Sequence, residues 1–343
     1  MTREIIDLRS DTVTRPTASM RRAMADAVVG DDLYRDDPTV AQLEALFAER
    51  VGKESALYLP SGVMANQVAI RSHCAPGTYI IAGERQHILT YEYGGVARNA
   101  GVSFLPLRDE NGRFEGEIVA EKLMASGFYD QKVSLIALEN THMESGGKYW
   151  RIEELRQIRE AAGATPIHLD GARLFNAQVA SGQLASEICA NVDSVMSCVS
   201  KGLSAPVGSL LAGSKEFIER ARLERATLGG QMRQAGVIAA AGVVALNEMV
   251  DRLADDHRRA SRLGEAIRSL VVVPDSRLSD IETNIVIFSV SNAVSFVEVL
   301  KENGVLANAL DHKTIRFVTH SDLDEGDIDA AIDILKLIPQ ESW

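Results

Sequence analysis

Lys201 lies in the stretch Ser194–Ser209, "SVMSCVSKGLSAPVGS", where an apolar-leaning run gives way to a turn rich in Gly and Pro. A lysine there is poorly placed for a solvated face and unnecessary for a turn. Burying an ammonium is costly, so such a site favours the neutral amine. A neutral amine attacks carbonyl carbon. Asp170 ends a second apolar run, in "PIHLDGAR", 31 residues upstream. A carboxylate at that place either caps the next helix or accepts from a buried cation. Ser61 and Gly62, in "LPSGVMANQVAIRSH", directly precede an amphipathic helix. A small turn at a helix N-terminus presents free N–H groups to an anion. His87, in "GERQHILTYEYGG", either covers an aromatic ring or satisfies a turn.

Taken together these residues match one cofactor. Pyridoxal 5'-phosphate (PLP) needs a lysine for its aldehyde, an acid to keep its ring nitrogen protonated, and an anion site for its phosphate. Lys201, Asp170 and the Ser61–Gly62 turn supply the three, and His87 is placed to cover the ring.

The elements that must position them read as α/β. Up to about residue 215, "SALYLPSG", "TYIIAGERQH", "VSLIALENTH", "TPIHLDGAR" and "SVMSCVSKG" each read as a buried strand followed by a turn. Amphipathic segments such as Ile152–Ala162 separate them. This alternation predicts a mainly parallel sheet with its site at the strand ends. After the Gly/Ala-rich Gly229–Ala245 the pattern changes. Asp251–Leu270 reads as one helix whose stripe is Leu253, His257, Ala260, Leu263, Ile267 and Leu270, which makes His257 a packed residue and not a ligand. Strand, helix, strand and helix follow, the last helix with the stripe Ile328, Ala331, Ile332 and Leu335 and a stop at Pro339. The expected division is an N-terminal segment (1–14) contributing to the site, a large cofactor-binding domain (15–249) and a small C-terminal α+β domain (250–343).

Composition narrows the partners. The 343 residues carry 36 Lys and Arg against 48 Asp and Glu, a net charge of −12. An acidic chain without a basic cluster is a poor match for nucleic acid or an anionic membrane. No apolar run has the length of a bilayer span, and the polar start "MTREIIDLRSDTVTRP" does not read as a signal peptide. Cys74, Cys189 and Cys198 lack a CxxC spacing and read as buried free thiols of a cytoplasmic protein, with no metal site expected.

The sequence resembles the L-threonine aldolase family, PLP-dependent lyases of fold type I (aspartate-aminotransferase-like). The blocks that carry the resemblance are "LRSDTVTRP" (Leu8–Pro16), "GDDLYRDDPTV" (Gly30–Val40), "LPSGVMANQ" (Leu59–Gln67) and "ENTHMESGG" (Glu139–Gly147). "HLDGARLFNA" (His168–Ala177), "SCVSKGLSAPVGSLLAG", "GGQMRQAGVIAAAGVVAL" and "RFVTH" complete a collinear set from about residue 5 to residue 335. The resemblance implies cleavage of L-threonine, L-allo-threonine or a related β-hydroxy-α-amino acid to glycine and an aldehyde. Other fold type I reactions in the same pocket, β-elimination or glycyl transfer to another aldehyde, are the alternatives; a catalytically inactive PLP-binding scaffold is the remaining one.

The resemblance also implies roles. Lys201 would hold PLP, Asp170 would pair with the ring nitrogen, and His87 would stack on its face. Ser61, Gly62 and Val63 would bind the phosphate. Arg173 would lie beside cofactor and substrate carboxylate, and Arg316 would clamp that carboxylate with help from Ser10. His142 would face the β-hydroxyl. Tyr34 and Arg233 would reach the cofactor and substrate of a neighbouring subunit, implying a homo-oligomer, a dimer or a dimer of dimers (homotetramer), with shared sites. The chain departs from the family at Val63, where Thr is usual, at Arg35 (commonly Gly), at Tyr93 (commonly Gln) and at Met143 (often polar). Loss of the hydroxyl at Val63 removes one donor, worth about 1–2 kcal/mol.

Overall fold

The computed structural model describes residues 5–129, 131–270, 278, 280–339 and 342–343. Residues 1–4 of the expected N-terminal segment, Asp130 of the expected large domain, and 271–277, 279, 340 and 341 of the expected small domain lie outside the described residues. The strands are β1 (Ile6–Asp7), β2 (Ser55–Leu59), β3 (Tyr79–Gly83), β4 (Ser103–Leu107), β5 (Val133–Glu139), β6 (Ile167–Asp170), β7 (Ser194–Cys198), β8 (Ser209–Gly213), β9 (Ile285–Ser289), β10 (Val305–Leu306), β11 (Asn308–Ala309) and β12 (Thr314–Val318).

Seven strands form the main sheet in the order β2-β8-β7-β6-β5-β3-β4. β8 runs against both its neighbours, β2 and β7, while the pairs among β7, β6, β5, β3 and β4 are parallel. Helices pack on both faces, so β7 and β8 are buried at every position and read as unbroken apolar-leaning runs. Parallel alignment brings the strand ends to one edge. Glu139 stands opposite Asp170, and Asp170 opposite Met196. The next strand reverses, so the β7–β8 connection is a tight loop over that edge. It carries Lys201, whose carbonyl accepts from the Ser204 N–H at 2.8 Å and the Thr14 hydroxyl at 2.9 Å.

The C-terminal residues build a second layer, the antiparallel sheet β11-β12-β9 with the parallel pair β1-β10 beside it. Its core joins Ile6 and Leu8 from the N-terminus to Phe288, Phe296, Phe317 and Trp343. The helix Leu253–Leu270 buries Leu253, Ala260, Leu263 and Ile267 along the expected stripe. His257 packs against Asn176, ring Nε2 to Nδ2 at 3.1 Å. The last helix, Glu325–Leu337, buries Ile328, Ala331, Ile334 and Leu335; Ile332 is only partly covered, because Ile334 sits three residues beyond Ala331 on the core-facing side. Among the described residues no helix is long and apolar enough to cross a membrane. The three cysteines are free and buried, and burial pushes the Cys74 and Cys189 thiols up to about 12.

Candidate active site

A cavity of about 200 Å³ opens at the strand ends, lined among others by Ser61, Gly62, Val63, Asn66, His87, Glu139, Asp170, Arg173 and Lys201. A larger groove of about 970 Å³ passes Glu110, Arg113 and Glu154 but contains none of these side chains.

The helix Gly62–His73 forms one wall. Ser61 caps it, its hydroxyl accepting from the Met64 N–H at 3.2 Å. The Ser61 carbonyl takes the Ala65 N–H, leaving those of Gly62 and Val63 at the helix mouth. A Cβ at Gly62 would lie 2.8 Å from Cys198 Sγ and 3.0 Å from Met196 Cε, so only glycine lets the backbone sit this close to β7. Val63 is half-exposed, and its N–H does not depend on the missing hydroxyl. Ser200, which sequence reasoning passed over, lines the same end.

Asp170 ends β6 and is 4% exposed. Its Oδ1 accepts from the Ala172 N–H at 3.1 Å and its Oδ2 from Asn66 Nδ2 at 2.8 Å. Asn66 Nδ2 also donates to Glu92 Oε1 at 2.8 Å, and Gln67 Nε2 to Glu92 Oε2 at 2.6 Å. His87 is half-buried, with Nδ1 3.3 Å from Glu92 Oε1 and its backbone N–H donating to Glu139 Oε2 at 2.7 Å. Tyr91 stacks on its ring at 5.5 Å and donates its hydroxyl to Glu144. Burial opposes charge on His87, but the Glu92 hydrogen bond and the nearby Asp170 and Glu139 outweigh it and raise its pKa. Among the described residues, His87, Glu92 and Asp170 hold ligand atoms within 4.8 Å of one another, a grouping not expected from the sequence. The Asn66 amide donates to both carboxylates of that group.

Arg173 and Arg316 differ in their partners. Arg173 is buried and paired bidentately with Asp11, at 2.7 Å for both contacts. Burial opposes its charge, yet the Asp11 carboxylate raises its pKa. Arg316, on β12, has no carboxylate partner among the described residues. Its Nη1 meets Met143 Sδ at 2.9 Å, its Nη2 donates to the Arg9 carbonyl at 3.2 Å, and its Nε is buried without a partner. Burial first, then the neighbouring Arg173, lowers its pKa from the ordinary value.

Five expected residues lie outside the cavity lining: Arg316, which touches it through Met143, and His142, Ser10, Tyr34 and Arg233. His142 is 1% exposed; its Nδ1 bonds Ser145 Oγ at 2.9 Å, and its Nε2, 3.9 Å from Glu139 Oε2, has no hydrogen-bond partner among the described residues. Its ring packs beneath Gly112, where an added Cβ would sit 2.1 Å from it. The groups this turn turns toward the cavity are Thr141 and Met143. Ser10 caps the short turn Asp11–Val13, accepting from Thr12, and Thr12 reaches the lining instead. Tyr34 is 74% exposed, and Arg233 is an exposed partner of Asp31 at 3.3 Å. The Asp32 N–H donates to the Arg233 carbonyl at 3.1 Å, so the two loops share one surface patch. Arg35, in the same loop, has φ +61, the left-handed conformation that explains why glycine is common there. Asp11, Asn66, Glu92, Glu139 and Thr141 were not foreseen. Glu139 alone had a signal, since it ends the apolar run "VSLIALE" as Asp170 ends its own.

A strand-end lysine, a buried acid on the adjoining strands and a glycine-led helix mouth define an α/β enzyme site built for an anionic carbonyl compound. The sequence of residues 7–291 matches the model of the beta-eliminating lyase family. The chain belongs to that family and, within it, to the L-threonine aldolases it resembles. It is similar to low-specificity L-threonine aldolase 1 of Arabidopsis thaliana, 40% identical with 94% of this chain and 93% of that one covered. It is 41% identical to the low specificity L-threonine aldolase of Escherichia coli strain K12, over 93% and 95%. A Leishmania major threonine aldolase structure superposes with a TM-score of 0.83 at 18% identity, over 96% of this chain and 98% of that one, which places the chain in the same fold type I architecture.

Proposed function

We propose that the protein is a PLP-dependent lyase that cleaves β-hydroxy-α-amino acids, L-threonine and L-allo-threonine among them, to glycine and an aldehyde. The observation that carries this reading is Arg316, a half-buried guanidinium that has no carboxylate partner among the described residues and whose Nη1 lies 2.9 Å from Sδ of Met143, a residue of the cavity lining that also holds Lys201 and Asp170. An amino-acid carboxylate is the partner it lacks.

The cavity fits the cofactor. The mouth of the helix Gly62–His73, where a Cβ at position 62 would crowd Cys198 and Met196, suits a phosphate, and the buried Asp170 carboxyl suits a ring nitrogen that carries a proton. When bound, PLP supplies an electron sink for the pair left as the Cα–Cβ bond breaks. Lys201 supplies the amine that carries the cofactor and afterwards a proton donor at Cα. Asp170 keeps the ring-nitrogen proton in place. His87, braced between Glu92 and Tyr91, covers the ring. Arg316 and Arg173 orient the substrate carboxylate, with Asp11 fixing Arg173.

The β-hydroxyl proton passes to a group lining the cavity. Beside Asp170, Arg173, Cys198 and Lys201, the titratable groups of the lining are His87 and Glu139; Thr141 offers a buried hydroxyl without a partner among the described residues. His142 sits one layer behind, its Nε2 3.9 Å from Glu139 Oε2. The exposed Tyr34–Arg233 patch supports a homo-oligomer in which each subunit completes its neighbour's site, as a dimer or tetramer. Three buried free thiols support a cytoplasmic location. The test is to follow glycine and acetaldehyde from L-threonine. β-Elimination, suggested by the family model's description, would release ammonia and 2-oxobutanoate instead.

A further inference from the structure

A buried hydrogen-bond chain runs behind Asp170, and its direction is fixed. Asn66 Nδ2 lies 2.8 Å from Asp170 Oδ2 and from Glu92 Oε1. Nδ2 donates to an oxygen of each carboxyl group, so it spends both protons there and Asn66 Oδ1 accepts. Oδ1 is 3.1 Å from His168 Nε2, so that nitrogen carries the proton. Burial holds His168 neutral, lowering it to about 4, so its Nδ1 accepts from Ser194 Oγ at 2.9 Å. With its one proton committed, Ser194 Oγ accepts from His73 Nε2 at 2.8 Å. Asn66, His168 and Ser194 are each at most 1% exposed.

Both ends of this chain, Asn66 and His73, lie on the helix Gly62–His73, two turns apart. His168 on β6 and Ser194 on β7 join them across the sheet. Each bond points the same way, so each polarises the next and the chain ends as a strengthened donor on two carboxylates.

We infer that Asn66, oriented by His168 and Ser194, is a positioning residue that holds the Asp170 and Glu92 carboxylates on one shared donor and so couples the acid at the cofactor nitrogen to the histidine on the cofactor face. Without that shared donor the two neighbouring carboxylates lose the amide that fixes both. If Asp170 turns it no longer faces the ring nitrogen. If Glu92 turns it releases His87. The inference rests on the PLP reading for its consequence, and on the geometry alone for the chain.

The test has two arms. In 15N-histidine-labelled wild-type protein, His168 and His73 are expected as neutral Nε2–H tautomers by magic-angle-spinning NMR; an Nδ1–H tautomer at His168 overturns the inference whatever the cofactor does. In the second arm the dissociation constant for PLP is measured spectrophotometrically for wild type, Asn66→Ala, His168→Leu and His168→Gln. The first two variants are expected to bind about tenfold or more weakly, the change from one hydrogen bond to a charged group. His168→Gln, which can restore a donor near the Nε2 position, is expected to stay within about twofold of wild type. Equal binding by wild type, Asn66→Ala and His168→Leu overturns the inference, as does a His168→Gln protein as weak as His168→Leu. Wild type that fails to bind PLP sinks the functional reading and leaves the tautomer result to decide the chain.

Discussion

Arg173 and Asp11 form a buried bidentate ion pair, Nε to Oδ2 and Nη2 to Oδ1 both at 2.7 Å, that ties the N-terminal segment to the end of β6. Asn284 Nδ2 adds a contact to Asp11 at 3.3 Å, so three distant parts of the chain meet at one carboxylate. This pair decides how Arg173 is presented. Its Nε and one Nη are held by the protein.

Asp11→Ala leaves Arg173 buried and unpaired. The expected loss is about 3–5 kcal/mol in unfolding stability, because the charge keeps its desolvation cost without its partner. Denaturant titration measures it. Asp11 in the folded chain sits well below the ordinary carboxylate range: burial raises its pKa, but the Arg173 guanidinium overrides that. Its contribution is therefore present above the unfolded value near 4 and is lost as pH falls below it. Wild type and Asp11→Ala should converge in stability in strong acid.

Lys201→Ala should abolish turnover and leave the fold intact. Circular dichroism checks the fold, and borohydride followed by mass spectrometry checks the linkage. A stable cofactor adduct on the variant would place the attachment on another lysine.

Arg316→Ala should raise KM for every amino-acid substrate by about tenfold to a hundredfold, the worth of hydrogen bonds to a charged group. Steady-state kinetics with threonine, allo-threonine and phenylserine give the comparison. An unchanged KM removes Arg316 from the carboxylate site.

His87→Asn should lower kcat/KM far more than His142→Asn, since only His87 lines the cavity. A larger effect at position 142 would mean that its buried Nε2 reaches the substrate.

The buried His168 and the half-buried His73 impose their own pH dependence. Burial lowers them to about 4 and about 3, from an ordinary value of 6.5. The unfolded chain then binds more protons than the folded one between pH 6.5 and those values. Stability should fall as pH drops through that window and level off below it, with each histidine worth a few kcal/mol. His168→Gln should flatten the slope between pH 6.5 and about 4, seen in urea midpoints against pH.

Strand ends made much of this site legible in the sequence. Lys201, Asp170 and Gly62 each interrupt an apolar run, and a parallel sheet gathers such interruptions at one edge. Asp11 could not be read in that way, because its meaning comes from a guanidinium 162 residues away. Asn66 looks like a tolerated polar residue in an amphipathic helix, and Glu92 like part of a polar turn. Only their shared contact gives them a role. His142 shows the converse limit. The family resemblance placed it in the right turn, but which of Thr141 and His142 faces inward is set by packing against Gly112, a distant residue.

The most direct measurement of the central claim is the product balance when the purified, PLP-loaded protein is given L-threonine. The account predicts glycine and acetaldehyde in equal amounts, lost with Lys201→Ala. Ammonia and 2-oxobutanoate in their place, or no visible absorbance band and no turnover after loading, would contradict it.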